Sequence, residues 1–157
     1  MSSKPYLIRP LRPGDETICV ALLRELAVFE KKDAGFRITP EKLAAALSSV
    51  QPSIHGLLAE TPEGEAVGYA FYYWSLGTFS GQPILHIEDL YTVPSVRGQG
   101  LGLALFEALR DLANARQALE MQWHVLHWNT DAIGFYEQRL GATLDTEWAR
   151  YSVPLLF

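Results

Sequence analysis

Apolar residues recur along this chain with two different periods, and the switches between them mark its elements. Ile18, Leu22, Leu26 and Phe29 fall three to four residues apart, the spacing of a helix with one buried face. Pro13-Gly14-Asp15 stands before them, with Asp15 the expected cap, and residues 6–9 read as a short strand ended by Pro10. After a polar break over 31–35, Thr39-Pro40-Glu41 opens a second helix that runs to about Leu47, with Thr39 capping and Pro40 in the first turn. Residues 54–60 and 66–74 read as strands joined by the turn residues Thr61-Pro62-Glu63-Gly64. A loop is expected over 75–83, then a buried strand over 84–93 and a helix over 101–115 that carries Leu101, Leu105, Leu109 and Leu112. Residues 121–126 follow as a strand and 129–140 as a helix, with Asn129 or Thr130 as cap and Gly141 as stop. Leu144 and residues 150–153 complete the pattern as a last strand pair.

Consecutive hairpin strands do not suit a regular doubly wound sheet. The expectation is one domain over 1–157, of mixed α/β class, with a mostly antiparallel sheet of six to seven strands flanked by about four helices.

Composition narrows the function. The 157 residues are 48% hydrophobic, enough for one sizeable core. No apolar run approaches the ~20 residues of a membrane span, and the first ten residues lack the apolar core of a signal peptide. A single cysteine, Cys19, leaves no intramolecular disulfide and no thiolate zinc cluster, so a reducing, cytoplasmic setting is expected. A net charge of −5 argues against nucleic acid and suits a cationic substrate.

The chemistry centres on Arg97-Gly98-Gln99-Gly100-Leu101-Gly102, which lies between the buried strand and the long helix. Such a turn aims several unpaired backbone N–H groups at one point, beside the positive end of the helix. A pyrophosphate fits there, glycine permits its close approach, and Arg97 adds positive charge at the mouth. The spacing is G-x-G-x-G, not the G-x-G-x-x-G of dinucleotide folds.

The strand, the R-G-Q-G-L-G turn and the helix together resemble the acyl-CoA motif of the GNAT superfamily of N-acetyltransferases. Asn129-Thr130-Asp131-Ala132-Ile133-Gly134-Phe135-Tyr136, followed by Leu140-Gly141-Ala142, resembles its second signature. Glu25 to Glu30, Tyr69 to Tyr73, Ile87-Glu88-Asp89-Leu90 and Trp128-Asn129 look like the diamine and thialysine acetyltransferase branch. The resemblance implies acetyl-CoA as co-substrate, with Leu90, Tyr91 and Thr92 pairing with the pantetheine arm. It implies Arg97, Gly98, Gln99, Gly100, Leu101, Gly102 and Leu103 around the pyrophosphate, and Asn129, Thr130, Asp131 and Ala132 at the far end of the arm. Tyr136 resembles the catalytic tyrosine, which also touches CoA. Phe29, Glu30, Glu88, Gln122, Trp123 and His124 resemble the amine pocket. A homodimer is implied too, and Trp148 and Tyr151 would suit its interface. Phe29 stands where the polyamine enzymes often carry tyrosine, and residues 75–79 lack their acidic residue and tryptophan, which favours a lysine-like or thialysine-like amine over a polyamine.

The residue types fit that chemistry. A lysine-like amine has a pKa of about 10.4, so freeing its lone pair at pH 7 costs roughly 4.6 kcal/mol. Glu88 and Glu30 are the candidate proton acceptors, with Glu88 also assigned to catalysis. Regular alternation would put Asp89 on the opposite side of the strand from Glu88, and His86 on the same side. A backbone N–H of Leu90 or Tyr91 can stabilise the thioester oxygen, and Tyr136 can protonate the departing thiolate. His124 and His127, three apart on an expected strand, would face opposite ways, so no metal site is expected. The reading is therefore acetyl transfer to a primary amine of a small cationic molecule by direct attack in a ternary complex. The alternatives are a protein N-terminal or lysine acetyltransferase, and a non-catalytic acyl-CoA-binding module.

Overall fold

The computed structural model describes residues 6–155, which fall into two compact units divided between His124 and Val125. The first is built on a five-stranded sheet whose spatial order is the chain order: β1 (Leu7–Pro10), β2 (His55–Glu60), β3 (Ala66–Gly77), β4 (Gln82–Thr92) and β5 (Glu120–Trp123). β1 to β4 are antiparallel neighbours, and β5 joins β4 in parallel. A parallel neighbour needs a crossover, and the helix α3 (Leu101–Ala115) supplies it. Two more helices, α1 (Glu16–Phe29) and α2 (Pro40–Ser48), lie between β1 and β2 in the chain.

Cross-strand partners share a face, so the register sorts the core. Leu58, Tyr69, Phe71 and Tyr91 pack with Cys19 and Leu22 of α1 and Leu43 of α2. On the other face Trp123, the parallel partner of Ile87, meets Phe106 of α3 edge-on at 5.4 Å. Leu101, Leu105 and Leu109, all buried, are the helical stripe legible in the sequence.

Several boundaries differ from expectation for identifiable reasons. Thr39 caps α2 as expected, accepting from the Lys42 N–H at 3.2 Å. Asp15 stands at the N-cap of α1 but makes no capping bond. Its carboxylate accepts instead from Arg9 at 2.7 and 3.1 Å and from the Arg12 N–H at 2.7 Å. Arg9 also donates to Glu60 at 2.7 and 3.0 Å, tying β1, β2 and the start of α1 through one half-buried guanidinium. The loop expected over 75–83 is mostly hairpin: β3 and β4 stay paired to Gly77 opposite Gln82, and Gly81, at φ +71°, closes the turn. Ser75 and Leu76 are exposed there, so burial left no alternating trace in the sequence.

The sheet has five strands, not six or seven. β5 ends at Trp123, so His124 and His127 are not strand residues, and the argument from strand alternation does not apply to them. Leu144 and residues 150–153 form no strand and are exposed. With no ladder partner, a short extended segment gains nothing to offset its ordering.

In the second unit, helix α4 (Thr130–Arg139) is capped by Asn129, whose Oδ1 accepts from the Ala132 N–H at 3.3 Å. Gly141, at φ +68°, ends it, and the Ala142 N–H donates to the Tyr136 carbonyl at 3.0 Å.

Candidate active site

The site is organised by an irregularity in β4. Phe71 stands opposite Asp89 and Tyr72 opposite Ile87, so Glu88 has no cross-strand partner. It is the extra residue of a β-bulge. The bulge inverts the alternation of β4. Leu85 and Ile87 share the α3 face, whereas Asp89 and Tyr91, opposite Phe71 and Tyr69, face the α1 and α2 side. His86, opposite Tyr73, is on that side as well, so it shares a face with Asp89. Regular alternation puts Asp89 and His86 on opposite sides, and the bulge corrects that.

The bulge also marks where the sheet opens. β5 pairs with Ile84 to Ile87 and stops. Among the described residues no strand covers that edge of β4 from Glu88 to Thr92, which leaves main-chain groups available to an extended ligand.

An acidic group gathers at this point. Burial, reinforced by the charges of Glu88 and Glu30, pushes Asp89 up to about 7. Burial likewise raises Glu30, which caps the C-terminal end of α1. Glu88 itself is exposed. Near them the Tyr69 hydroxyl is fully buried and has no hydrogen-bond partner among the described residues. Burial followed by the charge of Asp89 holds its pKa far above the usual phenol value. Glu88 and Glu30 are the acids the sequence proposes; Asp89 is not among them, because its inward orientation comes from the bulge.

Around the turn, Gly98 and Gly100 adopt φ of +73° and +86°, conformations that glycine reaches without strain. A Cβ added at Gly98, Gly100 or Gly102 would meet no heavy atom within 4 Å, so the loop is an open cradle. Gly100 caps α3, and the N–H groups of Leu101, Gly102 and Leu103 belong to the helix's first turn, which lacks intrahelical acceptors. That donor set suits a pyrophosphate. The side chains of the loop are held away from the cradle. Gln99 donates to the Ser95 carbonyl at 3.1 Å and accepts from the Tyr6 hydroxyl at 2.9 Å. Arg97 donates to the Thr92 carbonyl at 3.1 Å, and its guanidinium lies over Phe29 at 5.4 Å and Tyr91 at 5.6 Å. Arg97 thus bridges the turn to the end of α1. The Tyr91 hydroxyl donates to Glu25 at 2.9 Å; burial and that bond push it up to about 12.

Of the three β5-side residues, Gln122 pairs with His86 and lies on the Asp89 face. Trp123 is on the other face, against Phe106, and His124 follows the strand and is exposed. In the second unit Asn129, Thr130, Asp131 and Ala132 form the cap and first turn of α4, and Tyr136 lies on the same helix, its ring 5.7 Å from that of Phe135 in a T-shaped pair. Among the described residues no three His, Cys, Asp or Glu side chains are grouped to hold a metal ion.

A strand with an open edge feeds a glycine turn and helix, as the resemblance to the acyl-CoA motif implies. The chain belongs to the acetyltransferase (GNAT) family, whose model matches residues 21–142. It is 35% identical over 148 residues to a thialysine N-epsilon-acetyltransferase of Bos taurus, covering 90% of this chain and 86% of that protein. It is 28% identical to a human spermidine/spermine N(1)-acetyltransferase-like protein 1, covering 90% of this chain and 21% of the longer relative. Its fold matches an integron cassette protein from the mobile metagenome of V. cholerae with a TM-score of 0.78, at 23% identity and over 95% of this chain and 92% of that one.

Proposed function

We propose that this acetyltransferase moves the acetyl group of acetyl-CoA to the primary amine of a small cationic molecule, a lysine-like or thialysine-like amine ahead of a polyamine. The observation that carries the reading is the acidic group at the bulge, Asp89 with Glu88 and Glu30, beside the open edge of β4. Three carboxyl groups attract an ammonium, and one poised near neutrality can take its proton at physiological pH. The matched family region spans both units, which supports one domain.

Acetyl-CoA, when bound, supplies the activated acetyl group. The first-turn N–H groups after Gly100 hold its pyrophosphate, and the main chain of Leu90, Tyr91 and Thr92 aligns the pantetheine arm. Asp89, assisted by Glu88, accepts the ammonium proton and leaves a nitrogen lone pair free to attack. A Leu90 or Tyr91 N–H donates to the thioester oxygen as charge develops on it. As the carbon–sulfur bond breaks, the Tyr136 hydroxyl gives its proton to the CoA sulfur, and the second proton shed by the nitrogen as the amide forms restores the hydroxyl. Release of CoA thiol from acetyl-CoA against thialysine, lysine, ornithine, spermidine and an N-terminal peptide tests the reading, and Tyr136→Phe should lower turnover about 100-fold. A full-speed Tyr136→Phe enzyme removes the tyrosine from the mechanism, and thiol release only with the peptide favours a protein substrate.

The same proposal includes a homodimer located in the cytoplasm. Leu144, Trp148, Tyr151, Val153 and Leu155 are each more than 70% exposed, a run of apolar side chains that a second copy of this chain would cover. Light scattering that gives a monomer mass would end the dimer proposal.

A further inference from the structure

The Asp89 face of the sheet continues past the acidic group to a second cluster that acetyl transfer itself does not need. His86 stacks on Tyr73 with centroids 4.7 Å apart and planes within 7°. Its Nε2 lies 2.7 Å from Ser75 Oγ. Burial, followed by the nearby His124, lowers the pKa of His86 and favours its neutral ring. Glu120 is the acid whose charge reaches this ring, and its carboxylate accepts from Gln122 at 2.5 Å.

A neutral imidazole and a hydroxyl carry two acidic hydrogens between them, and one is used in the bond that joins them. If Ser75 donates to Nε2, the ring's other nitrogen carries a free N–H. If Nε2 donates to Ser75, the serine O–H is free. In either tautomer the pair keeps one donor for a ligand. The hairpin around it is poor in negative charge: no Asp or Glu occurs from Trp74 to Ile87. A distal ammonium would find little here except Glu120, whereas a carboxylate would find the donor.

The spacing selects a length. Asp89 and His86 are three residues apart on one strand face, at most roughly 10 Å at ~3.3 Å per residue, and the bulge shortens this. In an extended lysine-like chain, about 7 Å separates the terminal nitrogen from the carboxylate carbon, from bonds of ~1.5 Å in zigzag. Hydrogen bonds at each end take up the remainder.

We propose that the Ser75–His86 pair reads the carboxylate of the acceptor, with Glu120 facing its α-ammonium, so that the enzyme selects an α-amino acid with a terminal amine over the corresponding diamine. This inference rests on the acetyl-transfer reading above and specifies the far end of the same site.

The test compares kcat/KM for lysine and for 1,5-diaminopentane, which differ by the carboxylate alone, in the wild type and three variants. The wild-type ratio should favour lysine by about tenfold to a hundredfold, the range for hydrogen bonds to a charged group. His86→Phe keeps a ring to stack on Tyr73 and should bring the ratio close to one. Ser75→Ala, at an exposed position, should lower it as well, while His86→Gln, which retains an N–H donor, should recover part of it. A wild-type preference for the diamine, or a ratio unchanged in His86→Phe while lysine is still acetylated, overturns this inference and leaves acetyl transfer standing. Silence toward every amine overturns the acetyl-transfer reading and this inference with it.

Discussion

Asp89→Asn separates what this residue does for stability from what it does for activity, because the two should move in opposite directions. In an unfolded chain the Asp89 carboxyl titrates near 3.8, and in the folded protein near 7. The folded state therefore binds the proton more tightly, and between those two values it holds a proton that the unfolded state has lost. Stability then falls as pH rises through this window. A shift of about three units corresponds to about 4 kcal/mol of charge-burial cost, absent below about pH 4 and complete above about pH 8. Asparagine is neutral throughout. Its buried amide adds a constant offset of about 1–3 kcal/mol, so the informative quantity is the change with pH. For a chain of this size each kcal/mol moves the melting temperature by about 2–4 °C. The variant should gain on the wild type by roughly 10 °C between pH 4.5 and pH 8.5. Scanning calorimetry across that range measures it. A difference that stays flat with pH, or that shrinks as pH rises, refutes the placement of Asp89 among acids in a desolvated site. If Asp89 also takes the substrate proton, the same variant should lose about 100-fold or more in kcat/KM at pH 7.

The remaining predictions address the turn, the buried ion cluster and the orphan hydroxyl. Gly100→Ala forces a Cβ onto a φ of +86° and should cost about 1–2 kcal/mol, seen in the urea midpoint, together with a higher KM for acetyl-CoA. Arg9→Gln leaves Asp15 and Glu60 half-buried without their cation and should cost about 3 kcal/mol at pH 7. Because Arg9 holds the Asp15 pKa below its usual 3.8, the Arg9–Asp15 contribution is present above that value and lost as pH falls below it, so the variant's deficit should shrink in acid. Tyr69→Phe removes a buried hydroxyl that has no partner and should leave the melting temperature unchanged or raise it by a few degrees; a clear drop would mean that the hydroxyl has a partner in solution.

How much of this was legible in the sequence depends on where each element gets its signal. α3 was read to the residue, because its stripe of leucines faces a sheet and its start is fixed by Gly100. α2 and α4 were read within a residue or two from local chemistry, Thr39 and Asn129 capping as their types suggest. Asp15 has the same capping chemistry, but Arg9, six positions away and itself held by Glu60, takes its carboxylate, and two charge-assisted bonds outweigh one cap. The extra strands expected after Gly141 failed for a related reason: alternation over four residues describes a possible strand, and a strand exists only where an edge receives it.

The bulge at Glu88 is the most consequential feature that the sequence hid. Pairing counts residues on two strands, and β4 alone, read as Ile87-Glu88-Asp89-Leu90, shows an ordinary alternation in which Glu88 and Asp89 face apart. Only the register against β3, Phe71 to Asp89 and Tyr72 to Ile87, shows that one residue is extra. Three properties of the site gather around that single insertion. Asp89 turns toward the face of Tyr69 and Glu30, where burial and like charge raise its pKa into the working range of a base. The end of the β5 ladder at Ile87 coincides with the bulge and leaves the Leu90 to Thr92 main chain open to an acyl carrier. His86 and Ser75 come onto the same face as Asp89, at the reach of an amino acid side chain. The acid, the open edge and the donor pair that the proposals assign to the amine, the thioester and the far end of the acceptor thus lie together around the same irregularity. A variant that removed Glu88 and restored regular pairing should disturb all three together, while a point substitution at any one of them should not.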